Sequence, residues 1–139
     1  MLFSITNPFV FTVFGASGDL AKLKIFPTLY ELMLQNRFPK EFYIVGFSRT
    51  KLTQSAFRKI FKESVEKKFG KDVNTKVLNA LIKHVYYFSG QYTQIEDFIA
   101  FRLFLEKTTK KRKIEHIAYF SVPPVVFKDI VRNLGETRR

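Results

Sequence analysis

The chain of 139 residues (16.4 kDa) has the size of one domain, and its 46% hydrophobic content excludes a disordered polypeptide. The absence of cysteine excludes disulfides, thiolate zinc sites and a thiol nucleophile. With 24 Lys and Arg against 12 Asp and Glu, the net charge of +12 suits anionic partners such as phosphates, nucleic acid or lipid head groups. The longest mainly apolar stretch, Phe9–Ala16, falls far short of the roughly 20 residues of a membrane-spanning helix. The first basic residue, Lys22, follows the leading apolar run instead of preceding it, so no secretory signal is expected. The chain is read as soluble and cytoplasmic.

Phe9–Phe14 is a short β-branched and aromatic run between Asn7-Pro8 and Gly15, suited to a strand buried on both faces. From Asp19 to Gln35, Ile25, Leu29, Leu32 and Met33 fall at helical spacing. Pro27 should kink that helix or divide it in two, and Asn36 and Pro39 close it. Phe42–Phe47 predicts a second buried strand. Thr53 caps a helix over Gln54–Phe69 with a stripe of Ala56, Phe57, Ile60, Phe61 and Val65, ended by Gly70. A helix over about Val73–Ile82 leads to a strand at Val85–Phe88, which stops at Gly90. A helix over Ile95–Glu106, with Phe98, Ile99, Arg102 and Leu105 a turn apart, is followed by the basic run Lys107–Lys113. A buried strand at Ile117–Val122 ends at Pro123-Pro124, and a short helix over Val125–Leu134 ends at Gly135. This alternation predicts an open, mainly parallel α/β sheet with helices on both faces, whose ligands sit beyond the carboxyl ends of the strands.

The residues just after each strand are therefore the candidates. Gly15-Ala-Ser-Gly-Asp-Leu-Ala21 follows the first strand. Gly15 and Gly18 lack a Cβ, so backbone N–H groups can approach a pyrophosphate there, Ser17 adds a hydroxyl, and Ala21 allows close packing; an ordinary glycine turn has the same composition. After the second strand, NAD-binding folds place an acid that accepts bonds from the ribose 2′-hydroxyl. This chain has Arg49, with Lys51 nearby, and no acid. A guanidinium suits a 2′-phosphate, which favours NADP over NAD; a solvated basic loop is the alternative. Ser121-Val-Pro-Pro124 with Val126 and Phe127 is, by itself, a rigid helix entry. His84 and His116 lack a catalytic constellation, and no zinc, triad or Walker pattern is present. Lys107–Lys113 and Arg138-Arg139 would serve a nucleic-acid binder, but no nucleic-acid motif accompanies them.

The strings Gly15-Ala-Ser-Gly-Asp-Leu-Ala-Lys-Leu-Lys-Ile-Phe-Pro-Thr28, Ile44-Val-Gly-Phe-Ser-Arg49, Ser89-Gly-Gln-Tyr92 and Tyr119-Phe-Ser-Val-Pro-Pro-Val-Val-Phe127 together resemble the amino-terminal coenzyme domain of glucose-6-phosphate dehydrogenases. The resemblance covers nearly the whole chain, in order and at similar spacing. It implies a Rossmann-like domain binding NADP. Gly15, Ser17, Gly18, Asp19 and Leu20 would line its pyrophosphate and ribose, and Arg49 would hold the 2′-phosphate with Thr50 beside it. Ser121, Pro123 and Pro124 would approach the nicotinamide. Phe127 stands where many members have Tyr, which removes a hydroxyl contact. Lys24 matches a lysine near the sugar-phosphate site.

Family members continue with a Glu-Lys-Pro-Phe-Gly segment and an Arg-Ile-Asp-His-Tyr-Leu-Gly-Lys segment that carries the catalytic histidine. Neither His84 nor His116 matches that motif. The isolated chain is therefore expected to lack the oxidation of glucose 6-phosphate to its lactone. It would act as the coenzyme half of such an enzyme, with glucose 6-phosphate engaged only when the catalytic domain or a partner chain is supplied. A non-catalytic NADP-sensing module is the alternative.

Overall fold

The computed structural model describes residues 6–110 and 113–137. Four strands, β1 (Phe9–Phe14), β2 (Phe42–Ser48), β3 (Val85–Ser89) and β4 (Glu115–Phe120), form one sheet in the order β3-β2-β1-β4, every neighbouring pair parallel. Because strand side chains alternate between faces, each strand supplies two cores. Phe9 and Val13, with Phe42 and Ile44, pack under α1 (Phe26–Leu34), α2 (Gln54–Phe69) and α3 (Thr75–Ile82). Val10 and Phe14, with Val45 and Phe47, pack under α4 (Ile95–Thr109) and α5 (Phe127–Thr137). The predicted doubly covered α/β sheet is the observed one.

Phe14 pairs in register with both Phe47 and Phe120, and Ser48 with Ser89. All four strands thus finish level, and their exits lie side by side. The chain steps from β1 outward to β2 and β3, then returns to lay β4 on the other flank of β1. That reversal places the switch point between β1 and β4, where open α/β sheets leave a crevice for ligands.

The helices follow their local chemistry, with some corrections to the sequence boundaries. The backbone is helical from Asp19, passes through a π-helical segment at Ala21–Ile25 and continues as α1. The Phe26 N–H bonds back to the Ala21 carbonyl, and this wider turn accommodates Pro27, which has no N–H and whose ring crowds the carbonyl four residues back in a regular helix. Thr53 caps α2 by accepting the Ala56 N–H at 3.0 Å. Asn74 does the same for α3 through Val77, so that helix begins at Thr75 and not at Val73.

The helix predicted to end at Glu106 runs on to Thr109 and closes at Lys110 in the left-handed conformation (φ 56°). Its buried stripe is Phe98, Phe101, Leu105 and Thr109, while Ile99 is 49% exposed. The basic run therefore starts inside a helix. Its members Lys111 and Arg112, like the tail Arg138-Arg139, lie outside the described residues. β4 occupies Glu115–Phe120, not Ile117–Val122, because its ladder with β1 starts at Phe9↔Glu115. It is an edge strand, partly exposed along its length, and not the buried strand that its apolar content predicts. A short 3₁₀ turn at Pro124–Val126 precedes α5, which passes through Gly135. The helix persists there because Asn133 and Thr137 are buried on its inner side, Asn133 donating to the Tyr92 carbonyl at 2.9 Å.

The opposite edge strand, β3, is closed by side chains. The Gln54 amide donates to the Tyr87 carbonyl at 2.6 Å and accepts the Tyr87 N–H at 2.8 Å, and Arg58 Nε donates to the Val85 carbonyl at 2.7 Å. These bonds occupy three of the outward backbone groups that an edge strand otherwise offers to another chain. Among the described residues, no helix is long and apolar enough to cross a membrane and no cluster of acidic or histidine side chains could hold a metal ion.

Candidate coenzyme site

The carboxyl ends of β1, β2 and β4 converge on one turn. Gly15 leaves β1 at φ +88°, and its N–H and that of Ala16 both donate to the Phe47 carbonyl at the end of β2, at 2.9 and 3.3 Å. On the other side a Cβ at Gly15 would stand 2.1 Å from the Ser121 carbonyl oxygen beyond β4. The glycine is thus required by the close passage of three chain segments. Ala16 packs under Gly46, where a Cβ would approach Phe57 Cζ to 2.5 Å and Ala16 Cβ to 2.8 Å.

This revises how the glycine turn can serve a phosphate. The Gly15 N–H is committed to Phe47, and the Gly18 N–H donates to the Gly15 carbonyl at 3.0 Å. The amides left outside the turn's own bonds are those of Ser17 and of the helix's first turn, Asp19, Leu20 and Ala21. A helix cannot satisfy these first donors internally, and the positive end of its dipole lies there. Gly18, Asp19 and Leu20 are exposed, and Ser17 is half-buried.

The second loop lies beside the first. Arg49 and Thr50 follow β2, and the Thr50 hydroxyl donates to Ser17 Oγ at 3.2 Å, joining the two loops directly. Arg49 is exposed, and no hydrogen bond or ion pair engages its guanidinium among the described residues. Underneath, the Tyr87 phenol donates to the Thr50 carbonyl and meets Ser48 Oγ at 2.5 Å. Neither Tyr87 nor Gln54 is a candidate from the sequence, since each lies in an ordinary strand or helix pattern.

Tyr92 completes the floor. Its ring stacks on Phe47 at 5.7 Å and its hydroxyl reaches toward the Phe47 carbonyl at 3.5 Å, where the Gly15 turn is anchored. Burial raises the pKa of both Tyr87 and Tyr92; the Ser48 bond partly offsets the first, the Gly15 N–H and the Arg49 charge the second. Tyr43, half-buried and donating to Glu41 at 2.8 Å, is pushed up to about 12 by desolvation and by that carboxylate. The folded chain holds these protons more tightly than the unfolded one, whose phenols ionise near 10. Their contribution to stability is therefore complete below about pH 10 and lost as pH rises through the raised values. An absorbance titration of the phenolates should show Tyr43, Tyr87 and Tyr92 ionising above the ordinary phenol range, and Tyr87→Phe should remove one of these three late steps.

At the exit of β4, Ser121 donates its N–H to the Phe14 carbonyl at 2.8 Å, while its side-chain oxygen is buried with no hydrogen-bond partner among the described residues. A buried hydroxyl without a partner is costly, and its place at the mouth of the crevice suits a ligand donor or acceptor. Pro123 and Pro124 are exposed on the same exit. Phe127 turns onto Phe120, ring centroids 5.1 Å apart, and so packs the start of α5 against β4.

Lys24 lies apart. It is exposed on the π-helical segment, where its carbonyl accepts from Thr28 Oγ1 at 2.7 Å, and no side-chain contact joins it to the two loops. His84 and His116 are both at the amino-terminal end of the sheet, His84 immediately before β3 and His116 second in β4. His84 Nδ1 is 2.9 Å from the Phe42 carbonyl, and its ring stacks on Phe42 at 3.9 Å. Neither imidazole can reach a substrate held at the carboxyl ends.

The fit to a dinucleotide thus rests on helix-start amides, a guanidinium one loop away, and a hydroxyl across the crevice, the last two without a hydrogen bond among the described residues. Comparison with known proteins bears on the same surface. The family model described as glucose-6-phosphate dehydrogenase, NAD binding domain, matches residues 12–139. A glucose-6-phosphate 1-dehydrogenase of Chlamydia muridarum is 32% identical over 131 residues, 92% of this chain and 26% of the relative. A probable glucose-6-phosphate 1-dehydrogenase of Schizosaccharomyces pombe is 38% identical over 131 residues, 91% of this chain and 27% of the relative. A solved glucose-6-phosphate dehydrogenase in complex with glucose 6-phosphate superposes with a TM-score of 0.84 at 30% identity, covering 100% of this chain and 29% of that one. The chain spans about a quarter of the length of these relatives.

Proposed function

This chain belongs to the glucose-6-phosphate dehydrogenase NAD-binding-domain family, and from that premise we propose that it binds NADP and forms the coenzyme half of an enzyme that oxidises glucose 6-phosphate. The observation that carries the coenzyme choice is Arg49, an exposed cation with no hydrogen bond or ion pair among the described residues, one strand away from the glycine turn. In this reading the amides of Ser17, Asp19 and Leu20 hold the pyrophosphate. Arg49 takes the 2′-phosphate, with Thr50 fixing its loop to Ser17. Ser121 and the Pro123-Pro124 exit face the nicotinamide, where the buried Ser121 oxygen gains a partner. The nicotinamide supplies the hydride acceptor. Lys24 is assigned to the substrate side, further along the helix from Asp19.

The sugar's proton has to be taken by a base within hydrogen-bond reach. His84 and His116 sit at the wrong end of the sheet for that task. The oxidation is therefore proposed for a whole protein of the relatives' kind, and this span alone is expected to bind coenzyme without turning it over. Calorimetric titration of the chain with NADP and with NAD tests the reading. NADP should bind about a hundredfold more tightly, the worth of a bidentate charge-assisted pair; equal, weak binding of the two would overturn it.

A further inference from the structure

A guanidinium on an exposed loop selects a phosphate best if its backbone is held, because a long arginine side chain already gives up rotamer freedom when it is fixed. Besides the Thr50–Ser17 bond above it, what ties both neighbours of Arg49 to the core beneath is a single phenol. Tyr87 has one proton and donates it to the Thr50 carbonyl. The Ser48 hydroxyl, 2.5 Å away, must therefore donate to the Tyr87 oxygen, and it in turn accepts the Thr50 N–H at 3.3 Å. Ser48 and Thr50 flank Arg49, so the residue is pinned from both sides through one buried oxygen.

That oxygen is itself fixed. Tyr87 is 2% exposed, its ring lies on Phe57 at 4.7 Å, and both outward backbone groups of Tyr87 are clamped by the Gln54 carboxamide from the first turn of α2. The clamp spans the loop that carries Arg49, from its exit out of β2 to its entry into α2. A side chain placed only to fill the core needs no hydroxyl there, and the same ring area would be supplied by phenylalanine.

We propose that Tyr87, braced by Gln54, is a positioning residue for Arg49 and sets the discrimination between 2′-phosphorylated and unphosphorylated dinucleotides. The proposal rests on the assignment of Arg49 to the 2′-phosphate. It predicts a selective effect: Tyr87→Phe should weaken NADP about tenfold, the scale of one lost buried hydrogen bond pair, while NAD stays within about twofold. A merely structural role would lower the melting temperature and move both coenzymes alike.

The test is calorimetry of the full chain with NADP and NAD for the wild type, Tyr87→Phe, Gln54→Ala and Arg49→Ala, each checked by circular dichroism. Equal losses for the two coenzymes in Tyr87→Phe, or an unchanged NADP affinity, would overturn the proposal. Should Tyr87→Phe fail to fold, Gln54→Ala, at an exposed position, decides in the same way, with a smaller NADP-selective loss of about threefold expected for the weakened brace. If Arg49→Ala leaves NADP binding intact, the assignment of Arg49 itself has failed. If Arg49→Ala removes the preference and both Tyr87→Phe and Gln54→Ala keep it, only the role of Tyr87 has failed.

Discussion

Gly15→Ala should destabilise the domain by about 3 kcal/mol, a drop of roughly 10 °C in melting temperature for a chain of this size. Two independent costs meet at this position. A φ of +88° is unfavourable for any L-residue, and the new methyl would lie 2.1 Å from the Ser121 carbonyl oxygen and 2.8 Å from its carbon. Those atoms belong to backbone, so no rotamer change relieves the contact. Either the turn withdraws from Phe47, losing two hydrogen bonds, or the end of β4 moves off β1. Coenzyme binding should fall in both cases, since each displaces Ser17 or Ser121. Gly18→Ala is the comparison: its Cβ meets only the Gly15 carbonyl oxygen, at 3.3 Å, and its φ is ordinary, so a change within about 1 kcal/mol is expected. Urea unfolding of the two variants separates the explanations. Similar losses in both would show that the passage between β2 and β4 is not what requires Gly15.

The contrast between the two glycines also shows why the sequence reveals some of this site and conceals the rest. The glycine turn and Arg49 are legible because each follows a strand whose apolar run and stop signal are local, as at Phe9–Phe14 followed by Gly15. The bounds of α2 are equally legible, since Thr53 caps it and Gly70 ends it within the same short window. What Gly15 is needed for is not local: Ser121 lies more than a hundred residues further along the chain. The Tyr87–Ser48–Thr50 bonds likewise join residues 37 and 39 apart, and nothing in a Val-Tyr-Tyr-Phe run says which ring carries a working hydroxyl. The errors at β4 and α5 have the same origin. Apolar content predicts burial for a strand that topology places at an edge, and Gly135 reads as a stop although Asn133 and Thr137 hold the helix from its buried side.

Arg49→Ala should lower NADP affinity about a hundredfold and leave NAD affinity within about twofold, the difference expected when a bidentate, charge-assisted pair to a doubly charged phosphate is lost. The chain's net charge of +12 complicates a simpler experiment, because a broadly positive surface attracts the more anionic coenzyme without any site. Ionic strength separates the two effects. At 0.15 M salt the screening length is about 8 Å, so diffuse attraction fades while a contact pair persists. The NADP-to-NAD affinity ratio of the wild type should therefore survive in salt, and that of Arg49→Ala should stand near unity. Arg49→Lys adds a test of geometry: it keeps the charge and loses the planar fork, so roughly a tenfold loss, intermediate between the two, is expected. A lysine variant as selective as the wild type would mean that charge alone suffices at this loop, and an alanine variant that still prefers NADP would place the 2′-phosphate somewhere other than the end of β2.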